Sequence, residues 1–302
     1  MGGSEGDVSD TKEQYKEPMH VLLGRPRSFA DLGKQAKDLL YKGFSSGHML
    51  MVSCVGPGGL VLSSTATVMQ GSVIGMMSTT FSSAGIQSEI SGSTLSQISA
   101  STTYENIAPG LKATLTTVLP GANELGKAQV HYQLNNAALD ATVFGLKSKP
   151  MVQVSANVGS ERLSLGGSAV YNTATREVTG TNLGLGYLRP DFSAGLLYDP
   201  FKENMLDAYL THVVNPHTTI GGHVNYKLEN QVTSTTFGGS HRIDLQTTVR
   251  ARFDNSGVLA AVLEHQPNPF LTFGMYADVD TTNLQTRKPN IGLTVSILAA
   301  VS

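Results

Sequence analysis

The chain has 302 residues, a formal net charge of −2, 15% charged residues, 32 glycines, one cysteine and no tryptophan. Ordinary soluble domains carry about 25% charged residues, and this chain has no stretch of the ~18 apolar residues that a transmembrane helix needs. With a mean hydropathy of −0.05 it is not a helical membrane protein, and its lone Cys54, read as an inert thiol in apolar surroundings, excludes an internal disulfide.

Residues 1–24 are polar and acidic, with Glu5, Asp7, Asp10, Glu13 and Glu17 against Lys12 and Lys16, and are expected to be a disordered extension. The opening Met-Gly-Gly-Ser-Glu-Gly-Asp has neither the basic and apolar regions of a secretory signal nor the basic character of a mitochondrial transit peptide. Residues 25–44 hold the one convincing helix, predicted from Ser28 to Gly43. Ser28 can cap it, Asp31 lies in its first turn, and Gly43 can end it. Phe29, Leu32, Ala36, Leu39 and Leu40 form an apolar stripe, with Lys34, Lys37, Asp38 and Lys42 on the polar side. About 14 residues at ~1.5 Å each reach roughly 21 Å, too short to span a bilayer. The stripe predicts a helix resting on a wall through Leu32, Ala36 and Leu39.

Residues 45–302 read as strands and turns. From residue 43 to residue 88 there is no Lys, Arg, Asp or Glu, yet the segment is rich in Ser, Thr and Gly. That suits strands with lipid on one side and a hydroxyl-lined interior on the other. Thr247, Val249, Ala251 and Phe253 share one face while Thr248, Arg250, Arg252 and Asp254 share the other. The same parity runs through Val152–Val158, Ile220–Leu228 and Ile291–Ile297. Turn signals separate the strands at Pro120–Asn123, Arg189–Asp191, Asn215–Pro216, Asp254–Gly257 and Pro267–Pro269. Spanning strands of ~10 residues plus a short turn give about 20 strands. A membrane barrel without a secretory signal points to an organelle outer membrane reached from the cytosol. Two positions break the parity: His212 falls with Leu206, Ala208, Leu210 and Val214, and Glu264 with Val258, Ala260 and Val262.

Several segments resemble one family. Phe29–Phe44 is similar to the N-terminal helix of the mitochondrial voltage-dependent anion channels (mitochondrial porins), with plant and algal members closest in look. Ala108–Lys112 resembles that family's Gly-Leu-Lys strand opening, His212–Pro216 its H-x-x-N-P segment, and Thr247–Gly257 a hairpin with a basic pair. The resemblance covers about residues 25 to 302. It implies an all-β transmembrane barrel of about 19 strands with the helix inside the pore. It also implies a voltage-gated, anion-preferring channel of the mitochondrial outer membrane passing ATP, ADP and other small anions. The alternative is a protein-import pore with a related barrel, and a soluble β-rich binding protein is a third class.

Parity puts Lys112, Lys227, Arg250 and Arg252 on the pore face beside Lys34 and Lys37 of the helix, as candidates to set ion preference. Gly110, Leu111 and Lys112 form the tripeptide for which the family suggests nucleotide contact; a solvated lysine without a specific role is the equal alternative. Glu89 is expected on the pore side, because Ile86, Ser88 and Ile90 are the better lipid-facing residues. Catalytic groupings, metal-ligand spacings and Gly-rich phosphate loops are missing from the sequence, so no enzyme activity, cofactor or metal is expected. The expected partners are membrane lipids and permeant anions, with a homo-oligomer admitted and no nucleic acid.

Overall fold

The computed structural model describes residues 26–302 except 70, 121–125, 147–148, 161, 203, 283–288 and 301–302. The acidic extension therefore lies outside the described residues, as does most of the turn after Pro120. Strands begin with β1 (His48–Val55), β2 (Leu60–Met69), β3 (Ser72–Ser83), β4 (Ile86–Ser93), β5 (Ile98–Ala108) and β6 (Leu111–Leu119). They continue with β7 (Lys127–Gln133), β8 (Ala137–Phe144), β9 (Met151–Gly159), β10 (Leu163–Asn172), β11 (Glu177–Leu188), β12 (Phe192–Asp199) and β13 (Met205–Asn215). The last are β14 (Thr218–Lys227), β15 (Val232–Arg242), β16 (Thr247–Asp254), β17 (Val258–Asn268), β18 (Leu271–Asp280) and β19 (Asn290–Ala300).

Each strand pairs antiparallel with the next, and β1 closes on β19 in parallel, with Met49 opposite Thr294 and Val52 opposite Ile297. The parallel seam follows from the odd number: in an up-and-down array of 19 strands the first and last run in the same direction. Closure leaves no sheet edge, which a barrel in hydrocarbon requires because lipid cannot satisfy a free N–H or C=O.

Alternation assigns the two faces. Leu50, Leu62, Phe81, Ile90, Leu115, Leu139, Val154, Leu185, Leu196, Ile220, Phe253 and Ile291 are exposed apolar residues on the outside. The opposite parity faces inward and carries hydroxyls, amides and charges, with cross-strand contacts such as Ser53–Ser63 at 3.0 Å, Ser91–Ser99 at 2.6 Å and Thr103–Thr114 at 3.0 Å. Of the turns predicted, Arg189–Asp191 joins β11 to β12, Asn215–Pro216 joins β13 to β14, and Asp254–Gly257 joins β16 to β17.

The N-terminal segment lies inside. It is not the continuous helix expected over Ser28–Gly43. A 3-10 turn at Phe29–Asp31 precedes α1 (Lys34–Tyr41), and Gly33 between them sits at φ 72°. There the backbone presses against the wall: a Cβ on Gly33 would lie 2.5 Å from the Tyr209 ring. The apolar stripe runs unbroken through this kink, so periodicity could not reveal it. Phe29, Leu32, Ala36 and Leu40 are buried, Leu40 completely, while Leu39 is half-buried against Gly221. Burying one such leucine stabilises docking by about 1.5–3 kcal/mol. The segment can lie this close because glycines face it. A Cβ on Gly166, Gly184, Gly186, Gly221 or Gly238 would strike Phe29, Leu32, Leu32, Leu39 or Leu40 respectively, all within 2.5–2.9 Å.

The two breaks in parity have separate causes. On β17 the inward residues Ala260 and Val262 are buried with Tyr276 and Phe44, so that stretch of the inner face is itself an apolar core. Glu264 continues it inward and pairs with Arg250. His212 faces outward near the end of β13, opposite Phe192, its Nδ1 donating to the Asp191 carbonyl 3.2 Å away.

Candidate functional site

A solute crossing the barrel meets the inner face and the helix laid on it. Two arginines hold the end of that helix. Arg250 Nη1 donates to the Lys42 carbonyl at 2.8 Å while Nη2 pairs with Glu264. Arg252 Nη1 donates to the Leu40 carbonyl at 2.9 Å, and its guanidinium lies 5.3 Å from the Tyr41 ring and 4.7 Å from the Phe44 ring. The last carbonyls of a helix have no intrahelical donor and bear partial negative charge, so cations are favourable there. Both arginines face the lumen as parity predicts, and both are engaged in fastening the helix.

Lys34 projects from the helix with its side chain 60% exposed, 3.1 Å from Asp31. Lys37 stands over the Tyr209 ring at 4.8 Å. Tyr209 in turn stacks on His223, with centroids 4.4 Å apart and planes 5° apart. His223 bridges the wall and the helix: its Nε2 is 2.8 Å from Asp207 and its Nδ1 is 2.6 Å from the Tyr41 hydroxyl. Asn225 also donates to Asp207, at 2.7 Å. Arg252 and Lys37 have no carboxylate ion pair within salt-bridge distance among the described residues, whereas Lys34, Lys112 and Arg250 each have one.

The start of the segment is fastened differently. Ser28 Oγ donates to Asp140 at 2.6 Å, and Asp140 also meets His131 at 2.6 Å. Asn157 donates to the Arg27 carbonyl at 2.7 Å and Gln133 to the Pro26 carbonyl at 2.9 Å. Periodicity singled out none of Asp140, His131, Asp207 or His223 as a helix anchor. Their signal, a carboxylate and a histidine on the polar parity of neighbouring strands, becomes specific only once the register sets Asp140 opposite His131 and Asp207 two residues along from the partner of His223.

The Gly110-Leu111-Lys112 tripeptide separates into three roles. Gly110 sits at φ 78° in the β5–β6 turn, where a Cβ would approach the Gln133 carbonyl to 2.3 Å. Leu111 pairs with Tyr132 on the outer parity, and Lys112 faces inward opposite His131, 2.7 Å from Glu105. Only Lys112 reaches the lumen. Lys227 shares the inward parity of Asn225 and His223 at the end of β14. Glu89 lies between Thr80 and Ser101 on the inner parity, with Ile90 exposed on the outside. Asp244, in the turn between β15 and β16, is held below the ordinary carboxylate range, chiefly by the Gln246 backbone N–H and also by the Thr247 hydroxyl.

A family model described as eukaryotic porin matches residues 25–292. Mitochondrial outer membrane protein porin 4 of Arabidopsis thaliana is 30% identical over 90% of this chain and 98% of its own length. The mitochondrial outer membrane protein porin of 34 kDa of Solanum tuberosum is 31% identical over 86% and 94%. An outer plastidial membrane protein porin of Pisum sativum is 28% identical over 91% and 99%. These relatives are named as porins, channel proteins rather than enzymes. The chain belongs to the eukaryotic porin family and is a transmembrane β-barrel channel of the mitochondrial outer membrane.

Proposed function

We propose that this porin is a voltage-gated, anion-preferring channel through which ATP, ADP and other small metabolites diffuse passively. The observation that carries the reading is the set of cations on the helix inside the barrel. Lys34 and Lys37 project from a helix laid on the wall, and Lys37 and Arg252 have no carboxylate ion pair among the described residues. Charges within a Debye length of ~8–10 Å act on a passing ion. Local placement therefore outweighs the formal net charge of −2, all of which lies beyond residue 44. ATP, with several negative charges, gains most from such a lining.

Voltage sensitivity follows from the same helix. A unit charge carried across the full field gains about 2.3 kcal/mol per 100 mV. That is comparable with the burial of one leucine of the segment, so a membrane potential can compete with part of its docking.

The test is a planar-bilayer recording of the full chain across a potassium chloride gradient. A reversal potential of anion-selective sign, together with ATP current and a conductance that falls at high potential of either sign, is expected. A zero or cation-selective reversal potential would overturn the preference, and a voltage-independent conductance would overturn the gating.

A further inference from the structure

Two guanidinium groups near one mouth of the barrel have no partner among the described residues. Arg27 follows Pro26 at the start of the inner segment, and Arg162 lies in the turn between β9 and β10. Together they line a cavity of about 60 Å³ between that segment and β10–β12, with Lys34, Asp31 and the hydroxyl-bearing Ser164 and Ser193. Asp31 is the one acid among these residues, and Lys34 pairs with it at 3.1 Å. Neither arginine side chain has a hydrogen bond or ion pair with any described residue. Arg27 Nε is moreover buried without an acceptor.

An arginine cannot shed its charge in a protein, and a buried donor without an acceptor is destabilising. The cavity is roughly four times the ~15 Å³ that seats one water, which leaves room for a small oxyanion. Two guanidinium forks lining one cavity call for several acceptor oxygens. A tetrahedral phosphate offers these, whereas a carboxylate has only two oxygens in one plane. The cavity opens on the inner side of the wall, so its ligand comes from the aqueous lumen.

We propose that this pocket is a binding site for a free phosphate-type oxyanion, held by Arg27 and Arg162. Occupancy would tie the start of the inner segment to the β9–β10 turn. The site is separate from the channel's ion preference, which is read in chloride without phosphate.

Inorganic phosphate titrated into the full chain, in phospholipid-free nonionic detergent at low ionic strength, should give saturable binding by calorimetry. Arg27→Gln or Arg162→Gln should each weaken it by about ten-fold or more, as for loss of one charge-assisted hydrogen bond. The double variant should not bind. Lys34→Gln, whose charge is already paired with Asp31, should weaken it less than either. Arg27→Lys, which keeps the charge and loses the fork, should fall between native and Arg27→Gln, and serves if the double variant does not fold. Binding that fails to saturate in the native chain, or that survives unchanged in Arg27→Gln and Arg162→Gln, would overturn the site. Either result would leave the chloride reversal potential, and so the channel reading, untouched.

Discussion

From β10 to β15 the lumenal face is glycine at Gly166, Gly184, Gly186, Gly195, Gly221 and Gly238, each beneath the inner segment. From β2 to β6 the same face carries Ser63, Thr65, Ser78, Ser91, Ser101, Thr103 and Thr114, with no helix of the described residues over it. The covered wall gives up side chains so that a helix can approach backbone to backbone. The bare wall faces water and needs small groups that hydrogen-bond to it and to each other. Charge divides in the same way. Glu89 is the one inward charge on the strands before β5, while Asp140, Asp207, Arg250, Arg252 and Glu264 gather on or beside the covered wall. The difference teaches that the inner face is patterned by what lies on it, whereas the outer face is set everywhere by lipid.

If the outer face is the same all round, arginine should be equally damaging on both walls. Val154→Arg on the covered side and Val295→Arg on β19 should each cost about 2–4 kcal/mol near the membrane midplane. Unfolding of the barrel from lipid vesicles by urea would measure this. One residue along, the walls should part. Thr294→Arg, facing the lumen from β19, should be tolerated. Ser155→Arg should not, because Ser155 is buried at the covered wall beside Asp140. Equal damage at Val295 and Thr294 would break the assignment of faces.

The helix itself is tested by filling its bed. A Cβ on Gly186 would come within 2.5 Å of Leu32. Gly186→Leu should therefore destabilise docking by about 1–3 kcal/mol, as overpacking does. The barrel should remain closed, since its ladder does not include the helix. A cysteine placed at Ala36, with Cys54 changed to serine, should then react with a thiol reagent that it resists in the native chain. Ser101→Leu on the bare wall should leave that protection unchanged, within about 0.5 kcal/mol. Arg252→Gln should loosen the other end by roughly 1 kcal/mol, less than a fully buried charged hydrogen bond because the side chain is half-exposed. Faster labelling of the same cysteine would report it.

Much of this architecture is legible in the sequence, and the illegible parts share a cause. The period-2 pattern at Ile291–Ile297 places each residue correctly because lipid imposes apolar residues on the outer face of that strand. The pattern fails at Val258–Glu264, where the inside is also apolar. Ala260 and Val262 pack under Phe44, and no count of alternation can anticipate a core that another segment supplies. The helix stripe is legible, but its break at Gly33 is not, because that glycine is required by the Tyr209 ring on a strand far along the chain. Arg250 and Arg252 could be assigned to the pore face but not to the helix carbonyls they meet, since those contacts span 208 and 212 residues.

The smallest expected effect concerns how far the covered wall reaches into the lumen. A helix with its side chains is ~10 Å across, and Lys34 and Lys37 rise from this helix on the inner face, Lys34 exposed and Lys37 over the Tyr209 ring. Lys112 and Lys227 rise directly from strands. Substitution of any one lysine by glutamate changes the lining by the same two charges, so pairing does not distinguish the four; distance to the ion path does. Within a Debye length of ~8–10 Å a displacement of this size alters screening appreciably. The pair Lys34→Glu and Lys37→Glu should therefore move the chloride reversal potential towards cation preference further than Lys112→Glu and Lys227→Glu together. The helix lysines do not form the carbonyl contacts of Arg250 and Arg252, and Lys37 gives up only its contact with the Tyr209 ring, so the Ala36 cysteine is used to check that the helix stays docked. Equal shifts from the two pairs would mean that ions do not pass preferentially beside the helix, and that the difference between the walls shapes the fold of the lumen without shaping its ion path.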